Sequence, residues 1–456
     1  MTVCAISTPL AEGGISVIRI SGDKALDIAA KVFEPLSCES VEKMAGYTCA
    51  YGRIRDPKNG RIVDDGVLTV FRAPHSYTGE DVCEISCHGG VFVTKKVLRL
   101  CLENGARLAD RGEFTKIAFL NGKLSLTQAE AVMDVISAQG EFALSSANLT
   151  RQGRLFGRIT EIRDRLVGEL ASLAAWVDYP DDDVPAVTGE SLNEALESAH
   201  RELKQLLDDY DSGMILKSGI DTAIVGKPNV GKSTLMNLML GYDRSIVTDI
   251  AGTTRDVIEE TASLGEYTLR LSDTAGIREA SDQVEAIGVE LAKERIGRAM
   301  LILAVFDRSN GLDAEDRQLV ELLKGEGKKT VVILNKSDLE DKLGDCGELS
   351  GFEHIIEVSA KEEDCRELLL EKLRLLFPVG SFDPDSTIFA NERQKECVRL
   401  AFEHTKAAEE ALAMGETFDA VTVLIGAAAD ELLTLTGEKA TEAVVDEVFS
   451  RFCVGK

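Results

Sequence analysis

Residues 221–240 read DTAIVGKPNVGKSTLMNLML, and their order decides the fold. DTAIV (221–225) has the apolar, β-favouring character of a buried strand, and STLMNLML (233–240) that of a helix. Between them Gly226, Gly231, Lys232 and Ser233 have the GxxxxGKS spacing of a phosphate-binding P-loop. Glycines let backbone N–H groups converge on phosphate oxygens, and the helix N-terminus adds a favourable dipole. Lys232 supplies a point charge and Ser233 a Mg²⁺ ligand, with Asn229, Val230 and Thr234 completing the cradle.

Working outward, further elements follow in the order a guanine-nucleotide site needs. The strand LRL (269–271) runs into Ser272 and then Asp273, Thr274, Ala275 and Gly276. The aspartate can hold Mg²⁺ through water, and the glycine N–H can sense a γ-phosphate. VVIL (331–334) ends in Asn335, Lys336, Ser337 and Asp338. A carboxylate there accepts hydrogen bonds from guanine's ring N–H and exocyclic amine, a pair that adenine lacks. IIEV (355–358) leads to Ser359, Ala360 and Lys361, placed to meet the base from its other side. Between P-loop and second motif lie Thr248, Asp249, Ile250, Ala251, Gly252, Thr253 and Thr254, with Thr254 the candidate switch ligand for Mg²⁺. Together these predict a GTP-binding domain of Ras-like, doubly wound α/β architecture. Where small GTPases commonly carry a water-orienting glutamine, this chain has Ile277, which cannot orient water. Position alone does not choose its substitute within Arg278–Glu285.

The 456 residues predict about three domains at roughly 150 each. Hydrophobic content of 44% and charged content of 28% exclude collagen-like, disordered and disulfide-scaffold classes. With 78 acidic against 51 basic residues the net charge is −27, so most of the surface repels polyphosphate. A nucleic-acid substrate must then meet a local basic patch or a partner protein. Ten cysteines without a CxxC pair, and a start (1–14) without a basic and apolar leader, read as a reduced cytoplasmic protein. The best apolar run, Met300–Phe306, is far too short to span a bilayer, and five scattered histidines argue against a His-rich metal site.

Residues 1–120 read as mixed α/β, with VCEISCH (82–88) alternating Cys83, Ile85 and Cys87 against Glu84, Ser86 and His88. Residues 121–216 turn helical, with an apolar stripe Ile159, Ile162, Leu166, Leu170 and Leu173. A break at 179–185 precedes a second stripe, Leu192, Leu196, Ala199, Leu203, Leu206 and Tyr210. Helical character returns over 379–456. The α/β stretch 217–378 is thus expected as an insertion into one discontinuous helical domain. Arg151, Arg154 and Arg158, with Arg163 and Arg165 nearby, form a basic helical face. Its ordinary reading is a solvated surface paired with Glu161 and Asp164, and its alternative a contact with nucleic-acid phosphates.

Flanking segments narrow the family. PLAEGGISVIRISG (9–22), SYTGEDVCEISCHGG (76–90), GEFTKIAFLNGKLSLTQAEAV (112–132) and the terminal FCVGK (452–456), with the GTPase motifs, resemble the MnmE (TrmE) family of bacterial tRNA-modification GTPases over the whole chain. Val454 stands where that family usually has isoleucine. The resemblance implies an N-terminal domain similar to folate-binding aminomethyltransferase domains, which also mediates homodimerisation. In it Arg19, Glu84, Lys123 and Lys456 would contact a tetrahydrofolate derivative, 5,10-methylene or 5-formyl. It implies K⁺ activation, the ion held by the Asn229 side chain and by carbonyls of Thr248, Ile250 and Thr253. Mg²⁺ would be held by Ser233 and Thr254, and Glu285 would position the attacking water. Cys453 would be a catalytic thiol, against the plainer reading of a partly buried structural one. The implied partners are tRNA and an FAD-containing protein, MnmG (GidA), in a heterotetramer or larger complex. The product would be an aminomethyl or carboxymethylaminomethyl group on C5 of the wobble uridine. The competing expectation is a regulatory or ribosome-assembly GTPase without folate chemistry.

Overall fold

The computed structural model describes residues 1–178, 188–240, 260–271, 296–377 and 391–456, except 37, 139, 345, 346 and 363. The chain folds into two compact units. One comprises Met1–Met133, Thr150–Lys204 and Asn391–Lys456, and the other Asp134–Leu149 and Gln205–Ala390.

The first unit is built on a seven-stranded sheet. Its strands are β1 (Val3–Ile6), β2 (Ile15–Ser21), β3 (Phe33–Pro35), β4 (Thr48–Arg55), β5 (Ile62–Phe71), β6 (Val82–His88) and β7 (Arg107–Leu108), in the order β3-β4-β5-β6-β2-β1-β7. Alternation assigns the two faces. Ile18, Ile20, Leu68, Val70, Cys83 and Ile85 bury one face under helices α1 (Ala25–Val32) and α2 (Val91–Glu103). Burial pushes the Cys83 thiol up to about 12, so it acts as a small hydrophobe. On the strands' alternate residues Arg19 of β2 stands opposite Glu84 of β6 and Ala5 of β1. Helix α3 (Glu113–Leu120) covers Val3 and Ala5 with Phe114.

Helices α4 (Leu126–Ser137), α5 (Glu141–Arg151), α6 (Arg154–Asp178) and α7 (Gly189–Ser218) carry the predicted stripes: Ile159, Ile162, Leu166, Leu192, Leu196 and Leu203 are fully buried.

The second unit holds β8 (Ile220–Val225), helix α8 (Lys232–Leu240), β9 (Glu260–Leu264), β10 (Tyr267–Leu271) and β11 (Leu301–Asp307). It continues with α9 (Ala314–Glu326), β12 (Lys329–Asn335), β13 (Ile355–Val358) and α10 (Asp364–Leu376). The sheet order is β13-β12-β11-β8-β10-β9, parallel throughout except for β9. The chain leaves β8 toward β10 and leaves β11 toward β12, so the connections part between these two neighbours. That parting opens the crevice at the carboxyl ends where doubly wound sheets bind ligands. Both sheet faces are packed, which is why β11 is buried over Leu301–Phe306.

The chain returns to the first unit in α11 (Glu392–Ala413), α12 (Phe418–Thr436) and α13 (Glu442–Ser450). A buried polar joint anchors that return. Arg393 grips Glu130 of α4 with two 2.8 Å bonds, and Gln394 adds a third at 2.5 Å. No described helix is long and apolar enough to cross a membrane.

Candidate functional site

At the end of β8 the chain must pass close to β11. Gly226 takes φ +146°, and a Cβ there would lie 2.3 Å from the Val305 carbonyl oxygen. Asn229 also takes a left-handed conformation, at φ 66°, which its short polar side chain tolerates. Lys232 then starts α8 and folds its ammonium back onto the loop, donating to Gly226 O at 2.6 Å and Lys227 O at 2.5 Å. Ser233 and Thr234 occupy the exposed first turn of α8, where a hydroxyl suits a hard cation such as Mg²⁺. Val230 is buried against the sheet.

Asn335 is the keystone of the base-reading side. Its Nδ2 donates to Val230 O at 2.7 Å, and its Oδ1 accepts from Ala360 N at 2.9 Å. One side chain thus joins the P-loop to both loops predicted to hold guanine. Gly231 (φ +103°) makes room for it, since a Cβ there would lie 2.0 Å from Asn335 Nδ2. Lys336 (φ 67°) donates to Asp307 at 2.6 Å. Burial opposes the Asp307 charge, yet hydrogen bonds from Lys336 and Ser309 outweigh it and hold the carboxyl below the usual aspartate range. Ser337 N bonds Val358 O at 3.2 Å, and Lys361 Nζ approaches Asp338 to 3.6 Å. Asn335–Asp338 and Ser359–Lys361 therefore do converge at one end of the sheet. Thr248, Asp249, Ile250, Ala251, Gly252, Thr253, Thr254, Asp273, Thr274, Ala275, Gly276 and Glu285 lie outside the described residues.

In the first unit the sheet's second face gathers three of the four predicted folate contacts. Arg19 Nε donates to Glu84 at 2.8 Å, both side chains being largely buried. The guanidinium sits 5.6 Å from the rings of Tyr77 and of Phe114, within cation–π range of each. The C-terminal tail is laid onto this group. Ser7 Oγ and Arg19 both donate to Gly455 O, Gly112 N to Cys453 O, and Phe114 N to Lys456 O. Gly455 (φ +98°) permits the approach, because a Cβ would stand 2.3 Å from Ile6 O. Burial and the nearby Arg19 charge pull the Lys456 ammonium below its ordinary pKa, against the opposing pull of Glu84. Lys123 joins through the loop 74–80, donating to Pro74 O at 3.0 Å. The Cys453 thiol is exposed rather than partly buried, within electrostatic range of Lys456. This donor set suits an anionic, hydrogen-bonding heterocycle: a carboxylate to accept from ring N–H groups, and cations for a carboxylate tail.

Sequence reading had no signal for Tyr77 and Phe114, which are distant in the chain and shaped by packing. On the basic helical face, Arg165 grips Glu202 at 2.7 and 2.8 Å, and Arg163 pairs with Asp164 and Glu438. Those two guanidinium groups are therefore engaged by carboxylates.

Comparison with known proteins finds matches along the whole chain. The family description "MnmE helical domain" matches residues 126–453, and "GTP-binding protein TrmE N-terminus" matches residues 2–123. A protein of Clostridioides difficile (strain 630) called tRNA modification GTPase MnmE is 43% identical over 100% of this chain and 99% of its own. The proteins of that name from Carboxydothermus hydrogenoformans and Thermoanaerobacter pseudethanolicus are each 41% identical, with the same coverage.

Proposed function

The chain belongs to the MnmE (TrmE) family of tRNA modification GTPases, and from that premise we propose that its GTP hydrolysis drives one-carbon transfer to C5 of the wobble uridine of tRNA. The carbon unit would come from a tetrahydrofolate derivative, 5,10-methylene or 5-formyl. The observation that carries this reading is the seating of the C-terminal tail beside the Arg19–Glu84 pair, Arg19 donating to Gly455 O and Phe114 N to Lys456 O. A pure nucleotide switch has no use for a C-terminal tail folded onto a half-buried ion pair in another part of the fold.

In the GTPase unit, Lys232 and the N–H groups of α8 bind phosphate, Ser233 with Thr254 holds Mg²⁺, and Asp338 reads guanine. Asn229, with the carbonyls of Thr248, Ile250 and Thr253, would hold K⁺, which would supply beside the phosphates the positive charge that an arginine finger supplies elsewhere. Glu285 orients the attacking water, since Ile277 cannot. In the first unit, Glu84 orients the folate ring, while Arg19, Lys123 and Lys456 neutralise its acidic tail. The bound folate supplies the electrophilic carbon. Cys453, exposed beside Lys456, is a nucleophile toward the uridine or its adduct. Redox chemistry falls to an FAD-containing partner, MnmG (GidA), in a heterotetramer or larger complex with the homodimer of this chain. That partner also takes a share of the tRNA contact, consistent with the net charge of −27. The setting is the cytoplasm.

Calorimetry of 5-formyltetrahydrofolate with the full chain tests the reading. Binding by the native chain that is lost in Glu84→Gln and Lys456→Ala is expected. No binding by the native chain favours the regulatory or ribosome-assembly alternative.

A further inference from the structure

Nothing in the sequence motifs assigns a task to Lys227, the residue after the first P-loop glycine, yet its ammonium meets two carboxylates. Its ammonium lies 2.5 Å from Asp313 and 2.7 Å from Asp316. Asp313 divides its oxygens between the lysine and the start of α9, whereas Asp316 uses one oxygen for both. Asp313 Oδ1 caps the helix, accepting from Glu315 N at 3.0 Å and Asp316 N at 3.1 Å, while its Oδ2 takes Lys227. Asp316 Oδ2 takes both Asp313 N and Lys227, while its Oδ1 is buried without a hydrogen-bond partner among the described residues. An exposed ion pair would contribute little. Here the Asp316 side chain is only 6% exposed, so losing Lys227 strands a buried charge.

The backbone connects this clamp to the chemistry. Lys227 O holds the Lys232 ammonium at 2.5 Å, together with the carbonyl of Gly226, pressed against β11. The first half of the P-loop is therefore fixed at two points, by steric contact at Gly226 and by charge at Lys227. Both points refer the loop to β11 and the α9 cap that follows it. We propose that Lys227, clamped by Asp313 and Asp316, is a positioning residue for GTP hydrolysis that sets where the P-loop presents Lys232 to the phosphates. It acts through the loop backbone that holds Lys232. The inference concerns hydrolysis alone and stands whether or not the folate reading does.

The test is steady-state GTP hydrolysis by the full chain in K⁺ and Mg²⁺. Lys227→Met is expected to raise KM for GTP by about tenfold with kcat changed by less than about threefold, the signature of lost binding rather than lost chemistry. Lys227→Arg keeps the charge and returns KM to within about threefold of native, which a merely packed side chain would not require. Asp313→Asn with Asp316→Asn reproduces the KM rise and adds nothing to Lys227→Met, as partners in one clamp must. The proposal is overturned if Lys227→Met keeps the native KM, if arginine fails to rescue it, or if the lysine and aspartate effects simply add. Should the double aspartate variant melt early and confuse its kinetics, the methionine–arginine pair still decides.

Discussion

Asn335→Ala removes a side chain that is 3% exposed and makes two backbone hydrogen bonds, to Val230 O at 2.7 Å and from Ala360 N at 2.9 Å. Alanine leaves both backbone groups buried and unsatisfied, at about 1–3 kcal/mol each, so the second unit should lose about 2–6 kcal/mol. For a unit of this size that corresponds to a fall in Tm of roughly 4–24 °C, at about 2–4 °C per kcal/mol. Asn335→Asp separates the two bonds. It keeps the acceptor for Ala360 N but turns a carboxylate oxygen toward Val230 O, so it is expected to be no better tolerated than alanine. Because the side chain spans the P-loop and both base-reading loops, GTP affinity should fall with stability, by about tenfold or more. Differential scanning calorimetry of the full chain reports the first effect and titration with a non-hydrolysable GTP analogue the second. An Asn335→Ala chain that melts early yet binds the analogue normally would refute the bridging role. One that melts like the native chain would refute the hydrogen-bond argument as well.

Two further predictions concern other parts of the fold. Glu130→Ala leaves the Arg393 guanidinium, 20% exposed, without its carboxylate, and should cost the first unit about 3–5 kcal/mol in denaturant unfolding. Replacing both partners together, Glu130→Leu with Arg393→Met, should cost markedly less, and equal losses would contradict the stranded-charge account. Asp307 predicts a pH dependence. Its folded pKa is lowered, so its contribution is complete above the ordinary aspartate value of about 3.9 and fades as pH falls through the lower folded value. Acid unfolding of Asp307→Asn should therefore converge with that of the native chain at the acid end and diverge as pH rises toward about 4, with the full difference kept above it. A stability difference between the two that grows toward low pH would contradict the sign.

Much of the second unit was legible because its chemistry is written in short local spacings. Gly226–Ser233 needs only a strand before it and a helix after it, and Asn335–Asp338 needs only the buried run of β12. The alternation of Cys83, Ile85 and Cys87 likewise gave β6 its buried face, and the stripe at Ile159, Ile162 and Leu166 gave α6 its packed one. What escaped was long-range pairing. Asp313 lies 86 residues from Lys227, and nothing in either segment's pattern names the other. Arg19 and Glu84 are cross-strand neighbours 65 residues apart, and no local spacing in either segment names the other. Only the family resemblance joined them to Lys456, and even it gave no warning that Tyr77 and Phe114 flank the guanidinium.

The most direct measurement of the central claim changes the nucleotide rather than the enzyme's turnover. An asparagine at position 338 would offer an amide donor where guanine presents its amine, and would instead suit the carbonyl that xanthine carries there. Reconstituted wobble-uridine modification by Asp338→Asn, in the presence of the partner protein and tRNA, is expected to fail with GTP and to recover with xanthosine triphosphate. Modification that proceeds equally with either triphosphate, or with none, would contradict the account.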